Sequence, residues 1–283
     1  MSLKYPIYII SKGRFKNVKT AKALDVMDIP YNLCVEPGEY DEYKKAVLFG
    51  KIIQLPENFS ERGQGSIPVR NWVFDHAIEQ ECSKHWILDD NIYTFYRLNR
   101  NTILKVDTDT TFKACEAFTD RFKNIALSGM HYDKFVPAKT KRPPFNKNTR
   151  IYSCILINHE IPFRWRGRYN EDTDLSLRCL KAGWNTILFN AFLCGKTTSM
   201  VDGGGNTDTI YNTGDNRREF AESLQRQHPD LVKVVWRYNR WHHQVNYKPF
   251  KNRKLEYRDD YEPSGNKVNN YGMVLHRPVG KTR

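Results

Sequence analysis

Trp86-Ile87-Leu88-Asp89-Asp90-Asn91 is an apolar run that stops abruptly at carboxylates. Its composition is that of a buried strand, and carboxylates at a strand's carboxyl end lie where open α/β sheets bind ligands. Oxygens in that position would hold a cation; equally, Asp89-Asp90-Asn91 could be an ordinary strand-ending turn, since Asp and Asn favour turns. Upstream, Pro6 to Ile10 is a short β-branched and aromatic run, followed by Ser11-Lys12-Gly13-Arg14 and an amphipathic stretch from Val18 to Met27. The next run, Tyr31 to Val35, ends at Glu36-Pro37-Gly38; Tyr40 to Phe49 reads as helix, and Ile52 to Leu55 extends again. This βαβαβ rhythm predicts a parallel, doubly wound sheet. Gly63 to Pro68 makes a turn, and Val69 to Glu81 is a helix with Trp72, Val73, Ala77 and Ile78 as core contacts, leading into the Asp89-Asp90 strand.

Downstream, Ile92 to Leu104 reads as strand pieces, Thr110 to Phe122 as helix, and Ile125 to Met130 and Ile151 to Ile157 as strands. Tyr169-Asn170-Glu171-Asp172-Thr173-Asp174 then opens a segment with apolar residues at Leu175, Leu177 and Leu180. Its acids fall in the first turn of a helix from Asp172 to Ala182, where the dipole favours their ionised form. An ionised carboxylate can act as a base; equally, Asn170 or Asp172 could be a plain helix cap. Gly183 supplies the left-handed stop. Thr186 to Phe189 is a strand, Val201 to Thr207 a glycine-rich loop, Arg217 to Gln227 a helix and Leu231 to Trp236 a strand. No internal repeat is present.

The 283 residues, 40% of them hydrophobic, suffice for one large domain, read as residues 1–247, with a basic extension over 248–283 that packs on the domain or contacts a partner of the chain. No stretch approaches the roughly 18 consecutive apolar residues of a membrane span, and Met1 to Tyr5 lacks a signal-peptide core. The expected location is therefore the cytoplasm. Six cysteines stand singly without a CxxC pair, which argues for buried thiols and against a zinc knuckle.

The formal charge of +13 is uneven. Arg217 to Arg283 holds 15 Lys/Arg against 7 Asp/Glu. Lys134 to Arg150 contains Lys134, Lys139, Lys141, Arg142, Lys147 and Arg150 without an acid, and Pro143-Pro144 prevents a helix there, so an exposed loop is expected. Arg164-Trp165-Arg166-Gly167-Arg168 is a third basic segment, immediately before the acidic one. Such charge attracts polyanions, nucleic acid among them, or merely solvates a surface.

The order of the strand-one loop, a helix beginning Val69-Arg70-Asn71, Asp89-Asp90-Asn91, and Asn170-Glu171-Asp172 resembles GT-A fold glycosyltransferases over roughly residues 5 to 195. Three further segments look like the TET-associated glycosyltransferases of bacteriophages, which glycosylate 5-hydroxymethylcytosine in DNA. They are Ser128-Gly129-Met130-His131-Tyr132-Asp133, Arg168-Tyr169-Asn170-Glu171-Asp172-Thr173-Asp174-Leu175 and Trp241-His242-His243-Gln244-Val245-Asn246-Tyr247. The resemblance implies a Rossmann-like, mostly parallel central sheet flanked by helices, and a host cytoplasm as the location if a phage encodes the chain. It further implies a UDP-sugar donor, Mn²⁺ or Mg²⁺, and DNA as acceptor.

Carried onto this chain, the resemblance makes Asp89, Asp90 and Asn91 the metal triplet, whose last member is a neutral and weaker ligand than Asp. Asp172 becomes the base, with Glu171 second, and inversion at the anomeric carbon follows. His242 or His243 would complete the metal site, or simply stack beside Trp241. Ser11, Lys12 and Arg14 become contacts to diphosphate or base, Glu36 lies near ribose or uracil, and Arg70 reaches the pyrophosphate. Lys141, Arg142, Arg164, Arg166 and Arg168 would track acceptor phosphates, while Trp165, Phe145 and Trp241 stack or wedge. Three rival readings stay open: a glycosyltransferase for protein or polysaccharide, a non-catalytic DNA-binding protein, and a nucleotidyltransferase drawing further carboxylates from Asp107 and Asp109.

Overall fold

The computed structural model describes residues 3–46, 49–99, 102–138, 142–197 and 216–261. In the first third, β1 (Ile7–Ile10), α1 (Lys19–Val26), β2 (Asn32–Val35), α2 (Tyr40–Ala46), β3 (Lys51–Gln54), α3 (Ile67–Glu79) and β4 (Lys84–Asp89) follow one another. β1 lies between β2 and β4, parallel to both, and β2 is parallel to β3. This is the crossover pattern that the alternating strands and helices predict.

The remainder adds β5 (Ile92–Asn99), β6 (Thr102–Val106), α4 (Thr110–Thr119), β7 (Ile125–Tyr132), β8 (Phe145–Lys147), β9 (Cys154–Asn158), α5 (Glu171–Lys181) and β10 (Asn185–Lys196). All strands named so far join one ten-stranded sheet of order β3-β2-β1-β4-β9-β7-β10-β5-β6, with β8 also on β10. The fold class is α/β and the central sheet mostly parallel, as expected, with three strands opposed to the rest. β9 runs antiparallel to both β4 and β7, and β5 and β8 run antiparallel to β10. A second, two-stranded sheet pairs β11 (Val232–Arg237) with β12 (Arg240–Val245), after α6 (Arg217–Gln227).

The centre of the sheet is buried on both faces. Ile7, Ile9, Leu33, Trp86 and Leu88 point into one core with Leu24 of α1 and Phe112 and Cys115 of α4. Tyr8, Cys34, Ile87, Ile155 and Ile157 point into the other, with Val73, Phe74 and Ala77 of α3 and Leu175 and Cys179 of α5. The period of two along each strand makes this division. On α3 the buried stripe runs through Arg70, Val73, Phe74 and Ala77, while Ile78 is exposed. Ile78 is apolar but lies off that stripe, so composition misplaced it.

One link shapes the functional edge. Only Asp90 and Asn91 connect β4 to β5, although β9, β7 and β10 stand between them in strand order. Three Cα steps span at most about 11 Å, whereas four interstrand spacings in a flat sheet cover about 19 Å. The sheet must therefore curl at this edge. β10 supplies the bend through register shifts between Phe189 and Leu193 and between Gly195 and Lys196. The linking turn is clamped from both sides: the Thr20 hydroxyl donates to the Asp89 carbonyl, the Thr20 amide to the Asp90 carbonyl, and the Thr197 amide to the Asn91 carbonyl.

Part of Lys134 to Arg150 is not loop: Phe145–Lys147 forms β8. Five cysteines are buried and Cys82 is half-buried; all six are free. Residues 248–261 strap the domain. Phe250 joins Leu177, Leu180, Leu224 and Val232 in a third cluster, the Asn148 amide donates to the Phe250 carbonyl at 2.6 Å, and Tyr257 stacks on Phe122. The Val201 to Thr207 loop and residues 262–283 lie outside the described residues. Among the described residues no helix is long and apolar enough to cross a membrane.

Phe250→Ala is expected to lower unfolding stability by about 3 kcal/mol, the cost of emptying a packed aromatic site. Urea denaturation measures it, and an unchanged midpoint would detach the strap from the core.

Candidate active site

β1, β2, β4, β7 and β10 all end at the same edge of the sheet, and antiparallel β9 begins there. Ser11, Glu36, Asp89, Tyr132, Ser153 and Lys196 are consequently neighbours or near neighbours along one rim, the place where α/β sheets bind ligands. α3 and α5 approach that rim from one side and bring Arg70, Glu171 and Asp172.

Arg70 is the hub. Its guanidinium is 4% exposed, donates to Asp89 Oδ1 at 3.0 Å, and pairs with Glu171 at 3.9 Å and Asp172 at 3.7 Å. Its Nε also donates to Ser66 Oγ at 3.2 Å. Burial opposes the charge, but the three carboxylates outweigh it and hold the guanidinium pKa above its ordinary value. On the other side of Asp89, Lys196 Nζ pairs with Oδ2 and donates to Ser153 Oγ at 2.9 Å, and Ser153 Oγ donates to the same Oδ2 at 2.6 Å. Burial would raise the Asp89 pKa, yet Lys196 and Arg70 drive it far below the carboxylate range. Lys196 is shifted upward by the same pairing, against burial. Nothing in the local sequence marks Lys196; it acts here because β10 bends back to Asp89.

The carboxylate pair at the start of α5 is asymmetric. Asp172 Oδ1 accepts a hydrogen bond from Trp165 Nε1 at 3.1 Å, and Trp165 is itself clamped by Asn71, which exchanges two backbone hydrogen bonds with it. At Glu171, burial and then the Asp172 charge push the pKa up to about 7. Among the described residues three carboxylates face two cations here, and that surplus favours a proton on Glu171. Asn170 sits at the helix start with a left-handed φ of 56°, and its side chain donates to the Phe220 carbonyl rather than capping α5.

A second group lies at the end of β1. Ser11 Oγ donates to Asp90 Oδ2 at 2.6 Å and contacts Tyr43 Oη at 2.7 Å, while Arg14 pairs with Asp90 Oδ1. Lys12 pairs with Glu36 at 3.3 Å, and Glu36 accepts from the Ser60 amide and hydroxyl. The nucleotide-binding candidates thus fall into two pairs at the same rim, and Arg70 belongs to the carboxylate cluster instead.

A divalent cation does not fit the side chains as they stand. Both Asp89 oxygens are taken by Arg70, Lys196 and Ser153, and both Asp90 oxygens by Arg14 and Ser11. Asn91 Oδ1 is buried without a partner among the described residues, one open acceptor in the triplet. His242 and His243 are on β12, where His242 accepts from Arg240; burial, then Arg150 and His242, lowers the His243 pKa to about 4. Among the described residues no three His, Cys, Asp or Glu side chains group to hold a metal, and Asp109 pairs with Lys113.

The acceptor candidates separate. Trp165 is 2% exposed and positions Asp172, so its ring is not available to a base. Phe145 packs on Phe118 in the core. Arg164 pairs with Asp75 and lies over the Phe74 ring, and Arg166 pairs with buried Asp174 while half its side chain stays exposed. Arg142 and Arg168 are exposed. Lys141 lies outside the described residues.

A sequence model of the TET-associated glycosyltransferases matches residues 5–205. No curated protein matches the chain. Among solved structures, the crystal structure of GalNAc-T7 with UDP, GalNAc and Mn²⁺ is similar at a TM-score of 0.42 and 10% identity. The likeness covers 69% of this chain, which spans 44% of that one.

The Glu171 shift fixes the sign of a pH effect. A carboxyl whose folded pKa of about 7 exceeds its ordinary 4.5 favours folding fully below pH 4.5 and loses that contribution as pH rises through 7. Glu171→Gln is therefore expected to be more stable than the native chain at pH 8, by on the order of 1–3 kcal/mol, with the advantage shrinking toward pH 5. Thermal unfolding at the two pH values measures this, and an advantage independent of pH would contradict the assignment.

Proposed function

The chain belongs to the TET-associated glycosyltransferase family, and we propose that it transfers a sugar from a UDP-sugar to 5-hydroxymethylcytosine in DNA by one inverting displacement. The observation that carries this reading is the convergence of Asp89, Glu171 and Asp172 on the buried Arg70 at the ligand-binding rim. A donor lying over the end of β1 meets Ser11 and Arg14, and its diphosphate comes within reach of the cations Arg14, Arg70 and Lys196.

In the displacement, the acceptor hydroxymethyl oxygen attacks the anomeric carbon, the bond from that carbon to the diphosphate oxygen breaks, and UDP leaves. The hydroxyl proton passes to a carboxylate, a role a positioned Asp or Glu fills well. Asp172 is assigned that role because Trp165 and Arg70 orient it. Glu171, whose pKa is pushed up to about 7, is second and adjusts the charge of the pair. Arg14, Arg70 and Lys196 offset the charge on the departing diphosphate. The family resemblance adds Mn²⁺ or Mg²⁺ at Asp89, Asp90 and Asn91; no step is assigned to it, because the carboxylates already hold cations of the chain. DNA as acceptor is supported by the family and by the net charge of +13.

The test is nucleoside mass spectrometry after incubation with UDP-sugars and duplex DNA containing 5-hydroxymethylcytosine, in parallel with Mn²⁺ and with EDTA. The native chain is expected to add a sugar mass. Asp172→Asn is expected to lose roughly 100-fold or more in turnover while keeping UDP affinity, whereas Lys196→Met is expected to weaken UDP binding as well. Transfer to a protein or glycan acceptor with none to DNA would overturn the acceptor assignment. UDP binding seen only with Mn²⁺ would return the charge-neutralising role to the metal.

A further inference from the structure

The β11–β12 ribbon lies beyond the stretch matched by the family, and its strands pair in six steps from Val232↔Val245 to Arg237↔Arg240. Alternation gives it two unlike faces. Val232, Val234, Trp236, Trp241, His243 and Val245 share one face, on which Val232 is buried and Val245 packs in the cluster that contains Leu224 of α6. Lys233, Arg237, Arg240 and His242 share the other, with Val235 and Gln244. From Leu231 to Leu255 the chain has seven Lys/Arg and no Asp or Glu. Among the described residues no carboxylate pairs with Lys233, Arg237 or Arg240.

The tip adds a second anomaly. Tyr238 and Asn239 both have left-handed backbone angles, φ 51° and 55°, the pattern of a two-residue hairpin turn that ordinarily takes Asn-Gly. A tyrosine there is strained, and its ring is 88% exposed, with Trp236 beside it 54% exposed. Packing does not account for an aromatic held out in water at a strained position.

We propose that this ribbon docks into the major groove of duplex DNA, with Lys233, Arg237 and Arg240 on phosphates or base edges and Tyr238 at the leading end; the proposal rests on DNA being the acceptor. A two-stranded ribbon is one of the elements that the roughly 12 Å wide major groove admits, and the 5-position of cytosine projects into that groove. Six residues per strand extend about 20 Å. The ribbon is also tied to the reaction site through α6. Asn170, next to Glu171, donates to the Phe220 carbonyl at 2.9 Å, Tyr169 stacks on Phe220 at 3.7 Å, and His228 at the end of α6 pairs with Asp174 at 2.8 Å. DNA held by the ribbon is thereby placed relative to the carboxylate pair.

Fluorescence anisotropy with a labelled 5-hydroxymethylcytosine duplex, titrated over salt, tests this on the full chain. Arg237→Ala/Arg240→Ala is expected to lower affinity at least tenfold and to reduce the slope of log affinity against log salt by about two. Tyr238→Ala is expected to lower affinity with the slope unchanged. UDP affinity in both variants should equal that of the native chain, which shows that the fold is kept. Native and variant chains binding duplex alike would overturn the ribbon's role and leave the DNA acceptor standing. Variants that lose single-stranded but not duplex binding would overturn groove docking. A native chain without salt-dependent DNA binding would overturn the ribbon's role together with the acceptor assignment.

Discussion

A guanidinium cannot be buried alone, and Arg70 is buried. Removing a charge from water costs several kcal/mol unless carboxylates and hydrogen bonds replace the solvent. Arg70 obtains them from the end of β4 and the start of α5, so three elements distant in sequence are bound to one side chain. The carboxylates assigned to the reaction are therefore also structural. Losing Asp89 takes from Arg70 and Lys196 the partner they share, and losing Arg70 leaves three carboxylates facing Lys196 alone. That mutual dependence holds Asp172 in place, and the surplus carboxylate keeps Glu171 near its midpoint at neutral pH.

The same rim depends on a constraint of chain length. A two-residue link between β4 and β5 cannot cross a flat sheet, so the sheet bends, and the bend delivers Lys196 to Asp89. Gly195 sits at this bend; a Cβ there would lie 2.8 Å from the Tyr93 ring and 3.0 Å from Thr94. The close approach of β10 to β5 thus needs glycine at the residue before Lys196. Position and chemistry come together in that pair of residues: one permits the bend and the next carries the charge.

Much of this was legible in the sequence and some was not, for identifiable reasons. The strand ending at Asp89, the helix opening at Glu171 and the α6 span follow from apolar periodicity and from charge at element ends, both local properties. Lys196 was not legible, because its role depends on a register shift and a strand order that no local pattern encodes. Trp165 reads as an acceptor contact because an aromatic among arginines suggests a binding loop, whereas in the fold Asn71 and Asp172 hold its backbone and indole inward. β12 was missed because Trp241-His242-His243-Gln244 lacks clear alternation of apolar and polar residues; it pairs through the strong neighbouring strand β11.

The distribution of charge shows why composition is a poor guide to a nucleic-acid surface. Of the cations expected to meet DNA, Arg164 is paired with Asp75 and Arg166 with Asp174, and Lys147 donates to the Arg253 carbonyl. A paired guanidinium displaces few counterions, since its partner already neutralises it at close range. The outer face of the β11–β12 ribbon differs: its cations meet no described carboxylate, and alternation aligns them on one side. Equal numbers of arginines can thus be inert in one segment and strongly attractive in another. The difference lies in whether the fold supplies each one with an acid, which the strand register decides and the residue count does not.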